Sequence, residues 1–419
     1  MKILLKAVRI TDIKSPHHNS SKDILIEHGA IQKIATSIDP SDATVIAIPQ
    51  LHVSQGWVDF KCRFNDPGSD EGGGIMAGLD AAAFGGFTHV GVLPSDHPVT
   101  DTRSGIEYKL RMASQHAVQL HPIGALSKGI KGQSLAEMAD MREAGAHWFS
   151  DNQPNQNRLL IQALLYSRDI HARVIISTQS TDFSTAAQVH EGLASTFTGL
   201  TGHPSFDEKI QVLKAIEIAK YTEVPVHISG ISTRECLPII STAKNEGIRV
   251  TCDVHLMNLC CTEERVMNFD TRFKVQPVLR SEDDRIALVQ ALRSGVIDAV
   301  VSDHHAVIVD QKRVPFDEAE FGAIQLPTAF SALKNFTGLN SDQIIELLSV
   351  RNRATFGIDM NPIELNSRAD LTLYLPDEIL QTSLPFSQEL SPFMEHPLEG
   401  KAVGIIHGQR CILNNEYLG

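Results

Sequence analysis

Apolar runs of strand length alternate with helix-length stretches over residues 53–357, which predicts a (β/α)₈ barrel of the α/β class. Three observations support it. Eight runs recur in order: Trp57–Cys62, Phe87–Leu93, Gln119–Leu126, His147–Ser150, Val174–Thr178, Val226–Ser229, Val250–Val254 and Ile297–Ser302. Seven helix candidates separate them. No glycine-rich phosphate loop follows the first run, which disfavours the competing doubly wound sheet.

Residues 1–52 come first, with short β-like runs (Ile3-Leu4-Leu5, Ile24-Leu25-Ile26, Ile31 to Ile34, Val45 to Ile48) separated by polar turns. No useful helical period occurs there, so the segment reads as part of a small β unit. In the barrel region the helix candidates are Gly74–Gly85, Arg103–His116, Leu135–Ala144, Leu159–Asp169, Asp207–Tyr221, Arg234–Glu246 and Ser281–Ser294. After residue 358 β-like runs return (Leu371 to Tyr374, Ala402 to Ile406, Cys411 to Leu413), with Gly-Gln and Asn-Asn turns. The division is therefore 1–52, 53–357 and 358–419, with the two ends meeting in one composite β domain.

The 419 residues suffice for a full core. A net charge of −13 argues against nucleic acid and anionic membrane surfaces as partners. No apolar run reaches membrane-span length, and the opening MKILLKAVRITD lacks a signal-peptide pattern. Six cysteines without a CxxC pair read as buried thiols in a reducing compartment. The expectation is a cytoplasmic protein.

In a barrel, reactive groups sit at the C-terminal ends of strands. Those positions hold Lys61 and Arg63, Ser95-Asp96-His97, Asp151-Asn152, Ser177-Thr178-Gln179, His227 and Gly230, Asp253 and His255, and Asp303-His304-His305. At period two, Lys61 and Arg63 point the same way. Two cations at the end of a buried strand need facing anions, and Asp151 and Asp303 are the proposed counter-charges. Eighteen histidines invite a metal hypothesis, but no His-x-His ends a strand and no HExxH occurs. Most of them read as structural or surface residues, and Cys260-Cys261 as a core pair.

Specific stretches then narrow the reading. They include Gly56-Trp57-Val58-Asp59, Pro67-Gly68, Ala81 to Thr88, Phe149-Ser150-Asp151, His190-Glu191-Gly192 and Val226 to Ser229. Further ones are Ile231-Ser232-Thr233, Lys274 to Arg280, Gly295 to Ala299, Ser302-Asp303-His304, Pro315-Phe316 through Phe321-Gly322, and Arg368 to Leu371. On these the chain resembles the dihydroorotases of the amidohydrolase superfamily, the type found in multifunctional complexes, over nearly its whole length. The resemblance implies an amidohydrolase barrel with a composite β domain. It also implies reversible cyclisation of carbamoyl aspartate to dihydroorotate in pyrimidine biosynthesis, with zinc-bound hydroxide and an aspartate after strand eight as proton shuttle.

Carried across position by position, the resemblance breaks where that chemistry lies. The family's His-x-His-x-Arg is Lys61, Arg63 and Asn65; the strand-five histidine is Ser177. His227 keeps the first histidine of His-x-x-His, and the second is Gly230. Asp151 and Asp303 keep the bridging and proton-shuttle slots, so Asp303 is the one matched catalytic position and is expected to be vestigial. Among substrate positions, Ser95 and Gln276 replace asparagines, Val307 replaces a histidine, and Arg280 and Asn352 are possible polar anchors. Protonated lysine and arginine offer no lone pair to a metal.

The expectation is thus no metal or cofactor, with degenerate ligand positions at Lys61, Arg63, Asp151, Ser177, Gly230 and Asp303. The resemblance then implies a pseudoenzyme that serves aspartate transcarbamoylase as a scaffold or stabilising subunit, itself a homo-oligomer. The alternative is an active dihydroorotase or related cyclic-amide hydrolase with zinc in an atypical site, drawing on His97, His255, His304 or His305.

Overall fold

A computed structural model describes residues 1–68, 73–151, 157–180, 187–305, 307–380, 390–394 and 397–414. The barrel strands are Trp57–Arg63, Phe87–Val92, Gln119–Gly124, Trp148–Asp151, Arg173–Ser177, Val226–Ser229, Val250–His255 and a divided eighth strand, Ala299–Val301 with His304–His305. All neighbours are parallel. Ala299–Val301 pairs with the seventh strand, whereas His304–His305 pairs with the first, so the ring closes across a break.

Every residue of the first strand except Arg63 is buried, because both of its faces are covered. Val58 and Phe60 point into the barrel with Leu93, Ile123, Trp148, Ile175, Ala299 and Val301. Trp57 and Cys62 join the layer between strands and helices. The helices follow from ordinary signals. Ser281 caps Glu282–Ser294 by accepting from the Asp284 N–H, and Gly295 ends that helix at φ 79°.

Two side chains hold the barrel seam. The Asp59 carboxylate accepts from Ser302 N at 2.5 Å and Lys61 N at 2.9 Å, tying strand one to the break in strand eight. Asn352 accepts from Val300 N and donates to Val58 O and Val300 O, tying the same strands lower down. Asn352 is therefore a structural pin and not the ligand anchor the sequence suggested. Beyond the break, Asp303 adopts φ 53°, and its carboxylate faces the barrel mouth. The chain then adds helices Ala329–Phe336, Ser341–Glu346 and Asn352–Phe356.

The second sheet draws on both ends of the chain. Its order is Arg410–Leu413, Leu398–His407, Asp370–Leu380, His52–Gln55, Lys2–Ile10, Ser21–Glu27 and Ala30–Ala35, with Thr44–Ile46 against Lys2–Ile10. It has its own apolar core, including Ile3, Leu5, Val53, Leu371 and Val403. Gly56 turns this sheet directly into the barrel: its N–H donates to Asp370 O, and any Cβ there would strike Asp370 and Thr88. Trp57 packs on Phe330 and Tyr374, with ring centroids 5.0 and 5.6 Å away. No helix among the described residues is long and apolar enough to cross a membrane.

Candidate functional site

The strand ends converge on a cavity of about 500 Å³ whose lining includes Arg63, Asn65, Ser95, Gln179, Gln276 and His305. Beneath it lies a space of about 10 Å³ beside Lys61, Ser177 and Ser229, room for roughly one water.

Lys61 is buried and donates through Nζ to Ser229 Oγ and His255 Nε2, both at 2.9 Å. Burial and then the Lys61 charge, against the pull of Asp303 and Asp253, bring the His255 pKa down to about 4. The neutral ring can therefore accept the ammonium proton on Nε2. Its Nδ1 faces Asp303 at 3.6 Å. Burial also lowers the Lys61 pKa, against the pull of Asp303 and Asp253. Arg63 Nη2 lies 3.9 Å from Asp303 Oδ1. Burial pushes the Asp303 carboxyl up, but His255, Arg63 and Lys61 together hold it below the usual carboxylate range. These residues form a mutually compensated cation–carboxylate cluster.

One expected pairing fails. Asp151 does not face Lys61 or Arg63 at ion-pair distance; it accepts from Leu126 N, Ser127 N and Ser127 Oγ. Backbone N–H groups just past the third strand are nearer to it and need an acceptor. The carboxylates that act on Lys61 are Asp303, as expected, and Asp253. Asp253 accepts from Gly230 N at 2.7 Å and contacts His227 Nε2 at 2.9 Å. Its strand-end position was visible in the sequence, but its electrostatic influence on Lys61 was not.

The remaining positions divide cleanly. Ser95 and Gln276 line the cavity. Arg280 does not: it is buried elsewhere, bonded to Ser232 Oγ, His203 O and His190, with Glu208 3.8 Å away. Ser177 accepts from Gln179 N. His97 and His305 reach the cavity, whereas His304 Nδ1 accepts from Gln325 N and Leu326 N. Val307 is buried, and Asn152 lies outside the described residues.

These residues do not fit a hydrolytic zinc pair. An ammonium lies against the His255 lone pair, and Asp151 is engaged with backbone donors. Gly230 adopts φ 91°, with a Cβ position 3.3 Å from His255 Nε2, so a histidine there would be strained. Among the described residues, no group of three close metal-ligating side chains lies at the mouth.

A family model described as dihydro-orotase-like matches residues 51–236. A dihydroorotase of Caldicellulosiruptor saccharolyticus is 36% identical over 382 residues, covering 88% of each chain. The chain belongs to the dihydroorotase family. Within that family, a dihydroorotase of Acetivibrio thermocellus is 34% identical, covering 95% of this chain and 96% of the other. Among solved structures, an L-hydantoinase from Arthrobacter aurescens superposes with a TM-score of 0.80 at 20% identity, covering 98% of this chain and 96% of its own. A dihydropyrimidinase from Brevibacillus agri gives 0.81 at 16% identity, covering 99% and 96%. At those identities the likeness speaks for the barrel fold.

Proposed function

We propose that this dihydroorotase-family chain has lost the hydrolytic step and acts in pyrimidine biosynthesis as a stabilising subunit for aspartate transcarbamoylase. The observation that carries the loss is the Lys61 ammonium 2.9 Å from His255 Nε2, a fixed cation where the family's chemistry needs an exchangeable metal. The choice of partner rests on the family resemblance. Two measurements test the reading. Dihydroorotate hydrolysis with added zinc is expected at the same background rate in the parent and in Asp303→Asn; a parent rate well above the variant overturns the loss of catalysis. Co-elution with the organism's own transcarbamoylase at micromolar concentration is expected, and two separate peaks overturn the subunit role.

A second reading comes from one detail of the mouth. Arg63 Nε and Gln179 Nε2 have no hydrogen-bond partner among the described residues, and both residues line the cavity. Such donors suit a small carboxylate, so the mouth serves in this reading as a sensor of a pyrimidine intermediate. Calorimetric titration with dihydroorotate and orotate checks it; no heat at millimolar ligand rules it out.

A further inference from the structure

At the opposite end of the barrel, where the two sheets meet, three donors converge without any role in the mouth. His89 lies on the second barrel strand, while Asp370 and His407 are direct cross-strand partners in the terminal sheet. One donor atom from each lies within 4.8 Å of the other two, and all three residues are buried. Two buried atoms of the cluster have no partner among the described residues, His407 Nε2 and Asp370 Oδ1.

The surroundings set the donor state of the rings. His407 Nδ1 lies 2.7 Å from Ala117 O, which only accepts, so Nδ1 carries the proton and Nε2 keeps its lone pair. His89 Nδ1 lies 3.0 Å from His121 Nε2. The Asp370 carboxylate 2.9 Å from His89 Nε2 only accepts, so without an ion Nε2–H donates to it and Nδ1 accepts from His121; a bound ion takes the place of that proton, and Nδ1–H then donates to His121. Metal-ligating histidines are held as His407 is, with the second nitrogen donating to a carbonyl or another acceptor.

We infer that His89, Asp370 and His407 form a structural binding site for a zinc-class divalent ion that clamps the terminal sheet to the barrel. Two imidazoles and a carboxylate select zinc or its borderline neighbours over magnesium and calcium, which take oxygen ligands. A tetrahedral zinc with bonds near 2.0–2.1 Å needs donors about 3.4 Å apart, so no edge of the cluster has to close by more than about 1.4 Å on binding. Arg353 counts against the site, since it donates to Asp370 Oδ2 at 2.7 Å. It cancels the carboxylate charge and leaves the bound ion at +2, the same net charge as in three-histidine zinc sites. The fourth position falls to water.

This site also changes what a zinc assay means, because one bound equivalent no longer implies a hydrolytic mouth. The test is made on the full chain, stripped with chelator, incubated with zinc chloride and gel-filtered before elemental analysis. Expected are one equivalent retained by the parent and by Asp303→Asn, and none by His407→Gln. Cobalt(II) in place of zinc is expected to give the intense visible bands of a tetrahedral site. His121→Gln, which removes only the positioning partner, is expected to weaken zinc binding 10–100-fold. Should His407→Gln not fold, His121→Gln and a zinc-dependent rise in the parent's melting temperature, absent with magnesium, decide the matter. Failure of the parent to retain zinc overturns the inference, as does a full equivalent in His407→Gln. Zinc lost in Asp303→Asn but kept in His407→Gln would instead overturn the reading of the mouth.

Discussion

Replacing Asp303 by asparagine tests the charge logic of the mouth most directly. The substitution keeps the side-chain shape and removes one negative charge that Arg63, Lys61 and His255 all face. At 3.9 Å and an effective dielectric near 20, the Arg63–Asp303 attraction alone is about 4 kcal/mol. Relief of the carboxylate's burial offsets part of that. Exposure of the repulsion between Arg63 and Lys61 adds to it. Removing one partner of a buried pair is expected to cost about 3–5 kcal/mol. Removing both in Arg63→Met/Asp303→Asn is expected to restore stability to within about 1–2 kcal/mol of the parent. Urea unfolding at pH 7 reads both, using the fluorescence of the two tryptophans, Trp57 and Trp148, which are buried. A single variant within about 1 kcal/mol of the parent, or strictly additive losses in the double variant, refutes the reasoning.

Other substitutions probe the frame around that cluster. Asn352→Leu leaves Val58 O and Val300 O without their donor and is expected to cost about 2–4 kcal/mol in the same urea assay; a change under 1 kcal/mol contradicts its role as a seam pin. Burial lowers the His304 pKa to about 3, so the unfolded chain binds this proton first. Stability from this group is complete above the ordinary histidine value and is lost as pH falls from about 6.5 toward 3, amounting to roughly 2 kcal/mol by pH 5. His304→Asn, which can still accept from Gln325 N and Leu326 N, is expected to flatten that acid limb, and an unchanged pH profile of the urea midpoint argues otherwise. Lys61→Met frees His255 Nε2 from its donor and is expected to raise the His255 pKa, seen as a shifted imidazole titration by NMR; no shift speaks against the ammonium contact.

The fold was legible because the barrel strands are continuous apolar runs bounded by polar turns. All eight strands lie within a few residues of where the sequence placed them, and the family resemblance pointed to the same barrel. The helices after residue 307 were missed: Ala329–Phe336 is only eight residues long, and over 341–356 the π-wound turn Leu347–Arg351 interrupts the 3.6-residue period in mid-helix. At the mouth, the period-two pattern correctly put Lys61 and Arg63 side by side. Their partners were harder to read. Asp151 and Asp253 both end apolar strands, and only the loop after the third strand, with its free N–H groups at Leu126 and Ser127, draws Asp151 away. Arg280 looked like a substrate anchor because its stretch matches the family, yet it is bonded to side chains and carbonyls away from the mouth cavity. The His89, Asp370 and His407 cluster left no local signature, since its members lie on three strands far apart in sequence.

The hydrogen bonds between His52–Gln55 and Leu371–Tyr374 join segments roughly 300 residues apart. A nascent chain can therefore wind its barrel on the ribosome while the platform beneath it still lacks three of its eight strands. Until residues near 370–413 emerge, the edge of His52–Gln55 that Leu371–Tyr374 will cover stays open to stray pairing. A chaperone, or an early docking partner, has its longest window of opportunity at that exposed rim.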